Sequence, residues 1–169
     1  DPLGQSQVIP YLEGLVKKGH TVTLISCEKP ERKKDQQKIL QILSTGGIDW
    51  HPISYTKTPP VLSTIKDIRS NYKLSVSLLK EKKNEAVHCR SYIAALVGLR
   101  LKKNFGTKFI FDMRGFWADE RVEGGIWNLK NPVYKIIYNY FKKKEKQFLE
   151  QADYIISLTE NAKHEILSW

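Results

Sequence analysis

Hydrophobic residues along the chain alternate between short runs typical of β-strands and longer stretches with helical periodicity. Five strands are predicted, at residues 22–25, 48–53, 85–89, 108–112 and 154–157. Around them, apolar positions recur every three or four residues, which is typical of amphipathic helices. Strands that alternate with helices are joined by right-handed crossovers into a parallel sheet. The pattern therefore predicts an α/β fold, a Rossmann-like doubly wound sheet in a single domain over residues 1–169.

The predicted helices have recognisable boundaries. The first follows a turn at residues 1–6 and ends at Gly19. Asn131 can cap a helix with Pro132 at its first position, and Thr159 can cap the last helix. A helix that follows a glycine turn normally comes after a strand, and here no strand precedes the turn. We therefore expect either that the first strand of the sheet is missing from this sequence or that the sheet lacks the strand usually found at its centre.

The stretch at residues 108–125 joins a buried strand to an unusually polar loop. Its first part, residues 109–111, is a run of β-formers expected of a strand covered on both faces. Charged residues and Trp117 then crowd into residues 112–121. Ligands bind in open α/β sheets beyond the carboxyl ends of the strands, so this loop is a site candidate. The alternative is an ordinary connection whose charges pair with one another and whose tryptophan anchors the surface.

Three predicted strand ends carry polar residues that suit a binding site. They are residues 88–91, 112–115 and 158–161, and a doubly wound sheet would place them at the edge that also holds Gly4, Gln5 and Ser6. Arg90 and Arg114 can bind phosphate or carboxylate, and Asp112 can accept a sugar hydroxyl. Helix N-termini at this edge can offer backbone N–H groups to an anion. We interpret His88 as a hydrogen-bonded structural residue, with catalysis as the alternative.

Charge is the most distinctive feature of the composition. The chain has 28 Lys or Arg against 18 Asp or Glu, a formal net charge of +10. Such an excess favours nucleic acid, acidic lipid headgroups or phosphorylated small molecules as partners, and a solvated lysine surface is the alternative. The two cysteines make no disulfide framework, which favours a reducing compartment. The longest apolar run is too short to span a bilayer.

Several common site motifs are missing from the sequence. The histidines and cysteines show no metal-ligand spacing, so no metal site is expected. Neither GxGxxG nor GxxxxGK[ST] occurs, which leaves dinucleotide and P-loop interpretations without their phosphate cradle. No GxSxG nucleophile elbow occurs either.

The predicted helix after Pro132 combines an apolar stripe with many lysines. The predicted stripe consists of Val133, Ile136, Ile137, Tyr140, Phe141, Phe148 and Leu149. Tyr134 and Tyr138 lie off this stripe, among the lysines. Basic residues interleaved with aromatic residues suit an anionic membrane surface and would also suit a nucleic-acid backbone. The alternative is a solvated helix face.

Three blocks of sequence together resemble a known family. They are GQSQVIPYLEGLVKKGHTVTLIS at residues 4–26, FDMRGFWADE at residues 111–120 and ADYIISLTENAKHEI at residues 152–166. In order and spacing they are similar to the amino-terminal domain of family 4 glycosyltransferases, which have the GT-B fold. Within the family the resemblance is to the branch that builds bacterial surface polysaccharides. It implies one half of a two-domain retaining glycosyltransferase of the hexosyltransferase type.

In enzymes of this family the amino-terminal domain holds most of the acceptor site, and the carboxy-terminal domain binds the nucleotide sugar. The resemblance implies an acceptor-binding half acting on a polysaccharide, glycan or lipid-linked acceptor, with a nucleotide-sugar donor as co-substrate and no bound cofactor. The carboxy-terminal domain, with its pair of glutamates, is absent from residues 1–169, so we expect this fragment alone to be inactive. We expect the full enzyme to be cytoplasmic and peripheral on the inner face of the membrane. Nucleic acid is then not an expected partner.

The resemblance also assigns roles by position. Arg114 falls near the place where many relatives carry a histidine beside the reacting sugar. Since a guanidinium stays charged, Arg114 is predicted to stabilise negative charge on the leaving diphosphate instead of acting as a base. Asp112 and Arg114 are the predicted catalytic residues, and Trp117 is predicted to offer a face to a sugar ring. The predicted substrate-binding residues are Gly4, Gln5, Ser6, His88, Arg90, Trp117 and Glu160.

The alternative hypothesis is a binding module without chemistry of its own. A basic Rossmann-like domain could recognise a phosphorylated ligand or nucleic acid through the same arginines. A second α/β unit with paired glutamates, encoded beyond residue 169, would favour the enzyme over the module.

Overall fold

The computed structural model describes residues 4–82 and 85–169. Within them the chain is an α/β protein whose paired strands are all parallel, as predicted. It divides into two compact units, one ending at Ser75 and the other beginning at Val76, so that the boundary lies inside a long helix. The strands form two sheets, where the alternation of elements had predicted one. Alternation shows that strands are parallel, but it does not show which strands are hydrogen-bonded neighbours.

The first unit contains the two-stranded sheet. Its elements are a π-helical turn (Gly4–Val8), α1 (Ile9–Lys17), β1 (Val22–Glu28), a 3-10 helix (Pro30–Asp35), α2 (Gln36–Thr45), β2 (Ile48–Ser54) and the start of α3 (Leu62–Lys82). Ile9, Leu43, Ile48 and Trp50 form its buried core. Residues 4–6, predicted as a turn, are helical instead. The π-helical turn extends the first helix towards the amino terminus, before its first predicted apolar residue, Val8. Residues 1–3 of that predicted turn lie outside the described part of the chain.

The second unit contains a three-stranded sheet in the order β3-β4-β5. Its elements after α3 are β3 (Ala86–Arg90), α4 (Ser91–Phe105), β4 (Lys108–Asp112), α5 (Trp117–Glu123), α6 (Pro132–Gln151), β5 (Tyr154–Ile156) and α7 (Glu160–Leu167). Asn131 and Thr159 cap α6 and α7 as predicted, by accepting hydrogen bonds from the backbone N–H groups of Val133 and Ala162. The short helix α5 was not predicted, because its polar sequence shows no clear apolar periodicity.

Helix α4 packs very closely on the sheet of the second unit. The side chains of Tyr92, Phe109, Phe111 and Phe148 are fully buried in the core between them. A Cβ atom at Gly98 of α4 would collide with Cys89 Sγ and lie only 2.8 Å from the Phe109 ring. Burial raises the pKa of the Cys89 thiol to about 12, so this cysteine is an inert packing residue. Glycine at position 98 therefore allows the close contact between helix and strands.

The apolar stripe predicted for α6 is correct only in part. Phe141 and Phe148 are buried, and Ile137 and Leu149 pack partly buried against the core. Val133, Ile136 and Tyr140 are instead exposed, by 55%, 69% and 46%. Two polar residues, Tyr138 and Glu145, complete the core-facing side of the helix. Tyr138 is hydrogen-bonded to Asp119, and Glu145 to Tyr92. Among the described residues, no helix is both long and apolar enough to cross a membrane.

Candidate functional site

The carboxyl ends of β3, β4 and β5 lie at one edge of the second unit's sheet. The parallel register sets Arg90 opposite Asp112, and Asp112 opposite Ile156. The polar residues that end β3 and β4, and the segment that follows β5, therefore meet at this edge. This is the arrangement that the sequence predicted for these three strands.

Asp112 is the central residue of the edge. It is only 7% exposed, and its Oδ2 atom lies 3.3 Å from His88 Nε2. Its Oδ1 atom lies 3.6 Å from Arg114 Nη1, which is beyond hydrogen-bonding distance, and accepts no hydrogen bond from any described residue. A buried carboxylate oxygen without a donor is rare in folded proteins, and it points to a missing partner.

The charge state of Asp112 follows from competing effects. Burial acts to raise the pKa of its carboxyl, but the hydrogen bond from His88 and the charges of Arg114 and Arg90 outweigh burial, so the pKa lies below its ordinary value. The carboxyl is therefore ionised at neutral pH. Since an ionised carboxylate only accepts hydrogen bonds, His88 Nε2 carries the proton between the two residues.

Two arginines give the edge an excess of positive charge. Burial lowers the pKa of the Arg90 guanidinium, the charge of Arg114 lowers it further, and Asp112 opposes both effects. Both guanidinium groups remain charged at neutral pH. One carboxylate thus accompanies two cations, which suits an anionic group of a ligand.

The backbone around this cluster has a positive φ angle at two positions. Ser91, directly after Arg90, has a φ of +70°, and Gly115, directly after Arg114, has a φ of +140°. Strained residues are concentrated at functional sites, where the surrounding structure holds them in place. The loop after β4 is also tied to β5, because the backbone N–H of Met113 donates to the carbonyl oxygen of Ile156 at 2.8 Å.

Trp117 lies in an aromatic cluster beside the loop. Its ring stacks on Tyr92 with centroids 5.7 Å apart, and it makes edge contacts with Trp127 and Phe141 at 5.3 and 4.8 Å. The Arg121 guanidinium lies over the same ring at 4.8 Å. These contacts occupy the ring with protein neighbours, so we leave Trp117 out of the ligand-binding set proposed below.

The remaining predicted site residues belong to other elements of the chain. Glu160 begins α7, after β5, and its exposed carboxylate pairs with Lys163 at 3.1 Å. Gly4, Gln5 and Ser6 belong to the first unit, where Gln5 lines a cavity of about 150 Å³ together with Glu28 and Trp50. Two of its lining residues are joined through Ser26, since Trp50 Nε1 donates to Ser26 Oγ at 2.8 Å and Ser26 Oγ donates to Glu28 Oε1 at 2.7 Å.

Sequence analysis missed a buried polar network next to the loop that carries Arg114. Its main contact is a hydrogen bond from the Tyr92 hydroxyl to Glu145 Oε2. The two residues are 53 positions apart, so no local motif joins them. The available signal was the glutamate itself, since Glu145 falls between Phe141 and Phe148 on the core-facing side of α6.

Comparison with known families agrees with the fold. The model of the family described as Glycosyltransferase Family 4 matches residues 6–169. The match includes the cluster of His88, Arg90, Asp112 and Arg114 at the strand ends. Comparisons with curated proteins and with solved structures return no match. The parallel α/β architecture is consistent with a Rossmann-like domain of the GT-B fold. Because the family model covers nearly the whole sequence, this chain belongs to glycosyltransferase family 4.

Proposed function

We propose that the chain is the acceptor-binding half of a retaining glycosyltransferase. In this proposal the full-length enzyme moves a hexose from a nucleotide sugar to a polysaccharide, glycan or lipid-linked acceptor. Family membership supports sugar transfer in general. The observation that carries the proposal is the buried, ionised Asp112 carboxylate, which has one oxygen without a hydrogen-bond donor and two arginines beside it.

Each residue of the cluster has a chemical role in this proposal. Asp112 Oδ1 accepts a hydrogen bond from a sugar hydroxyl, and a charged acceptor makes such a bond about twice as strong as a neutral one. His88 donates to the other oxygen and so orients the carboxylate. Arg114 stays protonated and stabilises the negative charge that develops on the departing nucleoside diphosphate. Arg90 adds a second cation for an anionic group of the substrate.

The other parts of the proposal concern predicted site residues outside this cluster of His88, Arg90, Asp112 and Arg114. Gly4, Gln5 and Ser6 approach the substrate phosphates, and Glu160 lies at the rim of the acceptor site. The reaction uses the nucleotide sugar as co-substrate and takes place in the cytoplasm. The acceptor belongs to a surface-polysaccharide pathway in this proposal, which rests on the resemblance of the three sequence blocks.

The test is release of nucleoside diphosphate by the full-length protein from a panel of nucleotide sugars. With the best donor, we expect Arg114→Ala to lower turnover about 10²- to 10³-fold, as the loss of one electrostatic donor does in other enzymes. Arg114→Lys should retain an intermediate rate, because it keeps the charge and loses the planar fork. The free energy of unfolding should fall by no more than about 1 kcal/mol, since the ion pair is partly exposed and His88 still donates to Asp112.

A matched control is Arg69→Ala, which removes a guanidinium at an exposed position of α3 in the first unit. This control should leave turnover unchanged. Normal turnover in Arg114→Ala, accompanied by a large loss of stability, would make Arg114 structural. If the wild-type protein releases no diphosphate from any donor but binds phosphorylated ligands, the non-catalytic binding module is favoured instead.

The second part of the proposal is that α6 holds the enzyme to an anionic membrane surface. The exposed face of this helix carries Val133, Ile136 and Tyr140, and the residues from 132 to 144 include four lysines and no acidic residue. The Lys144 ammonium lies over the Tyr140 ring at 5.7 Å. On an anionic membrane, the exposed apolar side chains would contact the acyl chains, and the lysines would bind the anionic headgroups.

This face replaces the one that the sequence predicted. Tyr138 was expected among the membrane-facing residues, but its hydroxyl donates to Asp119 Oδ1 at 2.7 Å and the residue is only partly exposed. Flotation of the full-length protein with anionic liposomes at low and moderate salt tests the surface. Ile136→Asp should abolish flotation, whereas Leu62→Asp, at an equally exposed position of α3, should not. Flotation that is unchanged by Ile136→Asp would contradict the assignment of this face.

A further inference from the structure

A cavity of about 150 Å³ lies in the first unit, where β1 ends at Glu28. Its inner part is lined by Trp50, which is only 8% exposed, and by the partly buried Ile39 and Gln36. Gln5 lies at its exposed rim. A cavity of roughly 150 Å³ in another protein holds a benzene molecule, so this one has room for a single six-membered ring.

The Glu28 carboxylate is oriented by the protein and keeps one oxygen for a ligand. Its Oε1 atom accepts a hydrogen bond from Ser26 Oγ at 2.7 Å, and Ser26 Oγ accepts one from Trp50 Nε1 at 2.8 Å. These two bonds tie the carboxylate to the neighbouring strand β2, which carries Trp50. The Oε2 atom of Glu28 accepts no hydrogen bond from any described residue. It is therefore available to a donor inside the cavity.

Two glutamine side chains add further hydrogen-bonding groups to the cavity. Gln36 is the first residue of α2, and Gln5 belongs to the π-helical turn before α1. Neither side chain makes a hydrogen bond with another described residue. Because a carboxamide has both donors and an acceptor, the two glutamines complement the Glu28 oxygen, which only accepts. The cavity thus presents donors and acceptors next to the apolar surfaces of Trp50 and Ile39.

The charges around the cavity favour a neutral ligand. Arg32 and Asp35 lie 3.6 Å apart at the exposed rim, so their charges offset each other. Glu28 then leaves one negative charge, which would repel a phosphate inside the cavity. A metal ion is not expected here either, because the described residues contain no His, Cys, Asp or Glu group that could hold one.

The position of Glu28 in the fold points to a sugar as the ligand. In Rossmann-type dinucleotide sites, an acidic residue about 20 positions after the glycine turn hydrogen-bonds a ribose hydroxyl. Glu28 occupies the corresponding place, since it ends the strand that follows α1 and Gly4 lies in the turn before α1. The sequence lacks the GxGxxG phosphate cradle, so the hydroxyl-binding carboxylate is present without the dinucleotide motif.

We propose that this cavity binds one neutral sugar ring through neighbouring hydroxyl groups. One hydroxyl donates to Glu28 Oε2, and the next one is hydrogen-bonded to the Gln36 carboxamide. The apolar face of the ring packs against Trp50 and Ile39, as aromatic and aliphatic walls do in other small-molecule sites. The sugar is part of the acceptor, an assignment that rests on the proposed function, and the substrate phosphates stay outside the cavity.

Fluorine NMR of the full-length protein labelled with 5-fluorotryptophan tests the site without an activity assay. The Trp50 resonance is the one lost in Trp50→Phe, which keeps an aromatic ring in the core. We expect this resonance to shift on titration with at least one of glucose, galactose, mannose and N-acetylglucosamine. No shift with any of these sugars would overturn the proposal, and so would a shift produced only by uridine diphosphate or NAD.

The first pair of variants tests the carboxylate. Glu28→Gln removes the charge and keeps an oxygen that can accept from Ser26, and it should weaken binding of the best sugar roughly tenfold, because hydrogen bonds to charged groups are the stronger ones. Glu31→Gln is the matched control, at an exposed position of the adjacent 3-10 helix. It should change Kd by less than about twofold. Equal weakening in both variants would contradict a role of Glu28 in the site.

The second pair separates binding from folding. Since the Gln36 side chain is hydrogen-bonded to no described residue, Gln36→Ala should leave the melting temperature nearly unchanged. It should weaken sugar binding about threefold to tenfold, as the loss of one neutral hydrogen bond does. Gln37→Ala, at the next and exposed position of α2, should change neither quantity. Unchanged binding in Gln36→Ala would overturn the proposal even if Glu28→Gln disturbs the fold.

Kinetics of the full-length enzyme then connect the cavity with the acceptor. With the methyl glycoside of the best-binding sugar as acceptor, Glu28→Gln should raise the acceptor KM about tenfold and leave kcat within about twofold, because ground state and transition state lose the same contact. A rise in the donor KM instead would overturn the assignment to the acceptor. If the wild-type protein is inactive with every donor, the proposed function fails, but the NMR titration still decides whether the cavity binds a sugar.

Discussion

Two aspartates lie at opposite edges of the second unit's sheet and differ in how completely the protein satisfies them. Asp153, just before β5 at the amino-terminal edge, accepts a hydrogen bond from the Phe109 N–H at 2.8 Å. It also pairs with Lys102 at 2.8 Å and Lys108 at 3.1 Å. Asp112, at the carboxyl-terminal edge, has His88 on one oxygen and no donor on the other.

Both carboxyls are ionised, for different reasons. Lys102, the Phe109 N–H and Lys108 lower the pKa of the Asp153 carboxyl well below its ordinary value. For Asp112, burial opposes ionisation, and His88 and the two arginines overcome it. The charge of Asp153 therefore stabilises the fold, whereas Asp112 keeps one oxygen that accepts no hydrogen bond from the described residues. The difference supports the proposal that substrate binds at the carboxyl-terminal edge.

The largest expected effect is on turnover, and it should differ between substitutions of the two aspartates. In the full-length enzyme, Asp112→Asn should lower turnover about 100-fold, or about 2.7 kcal/mol, because the amide carries no charge to accept the substrate hydroxyl or to balance the arginines. Asp153→Asn should leave turnover within about threefold when it is assayed well below its melting temperature. Equal losses in the two variants would show that the two edges do not differ in function.

The next effect compares glycines at the two edges. Gly115→Ala should lower the free energy of unfolding by about 1–3 kcal/mol, because a φ of +140° is strained for any residue with a Cβ. The new methyl group would also collide with the Glu120 carboxylate, which can move aside. Gly106→Ala, at the left-handed end of α4, has open space around it and should cost about 1 kcal/mol.

Urea unfolding at neutral pH measures both substitutions. A cost for Gly106→Ala that exceeds the cost for Gly115→Ala would contradict the conclusion that the loop after β4 accommodates a Cβ atom less easily.

The smallest effect concerns acid stability. Because the pKa of Asp153 is lowered in the folded state, its charge contributes stability above the unfolded value of about 4, and this contribution is lost as the pH falls below that value toward the folded pKa. The difference in unfolding free energy between wild type and Asp153→Asn should therefore be largest near pH 7 and smaller at pH 3. Asp35→Asn, in an exposed pair, is the control and should show little difference at either pH. A difference for Asp153→Asn that does not change with pH would contradict this assignment.

Sequence predicted the parts of the fold that depend on local patterns. Continuous β-forming runs located all five strands found in the described residues, and Asn131 and Thr159 capped the helices that they were expected to cap. The division into two sheets was not predicted, because it depends on which strands pair. The orientation of α6 was wrong at Ile136 because polar residues, among them Glu145, take up part of the core-facing side through partners far away in the sequence.

The same reasoning explains what was found and missed at the candidate site. Arg90, Asp112 and Arg114 could be placed together because parallel strands bring their carboxyl ends to one edge. The ring contacts of Trp117 could not be predicted, since an aromatic residue in a polar loop has the same signature whether its ring is open or packed. The hydrogen bond from Tyr92 to Glu145 was missed for a different reason, because a tyrosine near the start of a buried helix resembles any other core residue.

The close packing of α4 on the strands limits how the second unit can respond to a ligand. With no room for even a methyl group at Gly98, this helix can neither slide along the sheet nor rotate against it without a clash. Helix α4 and the sheet therefore behave as a rigid platform. We therefore expect the second unit to adjust to a substrate through side-chain rotations and through the few residues between β4 and α5.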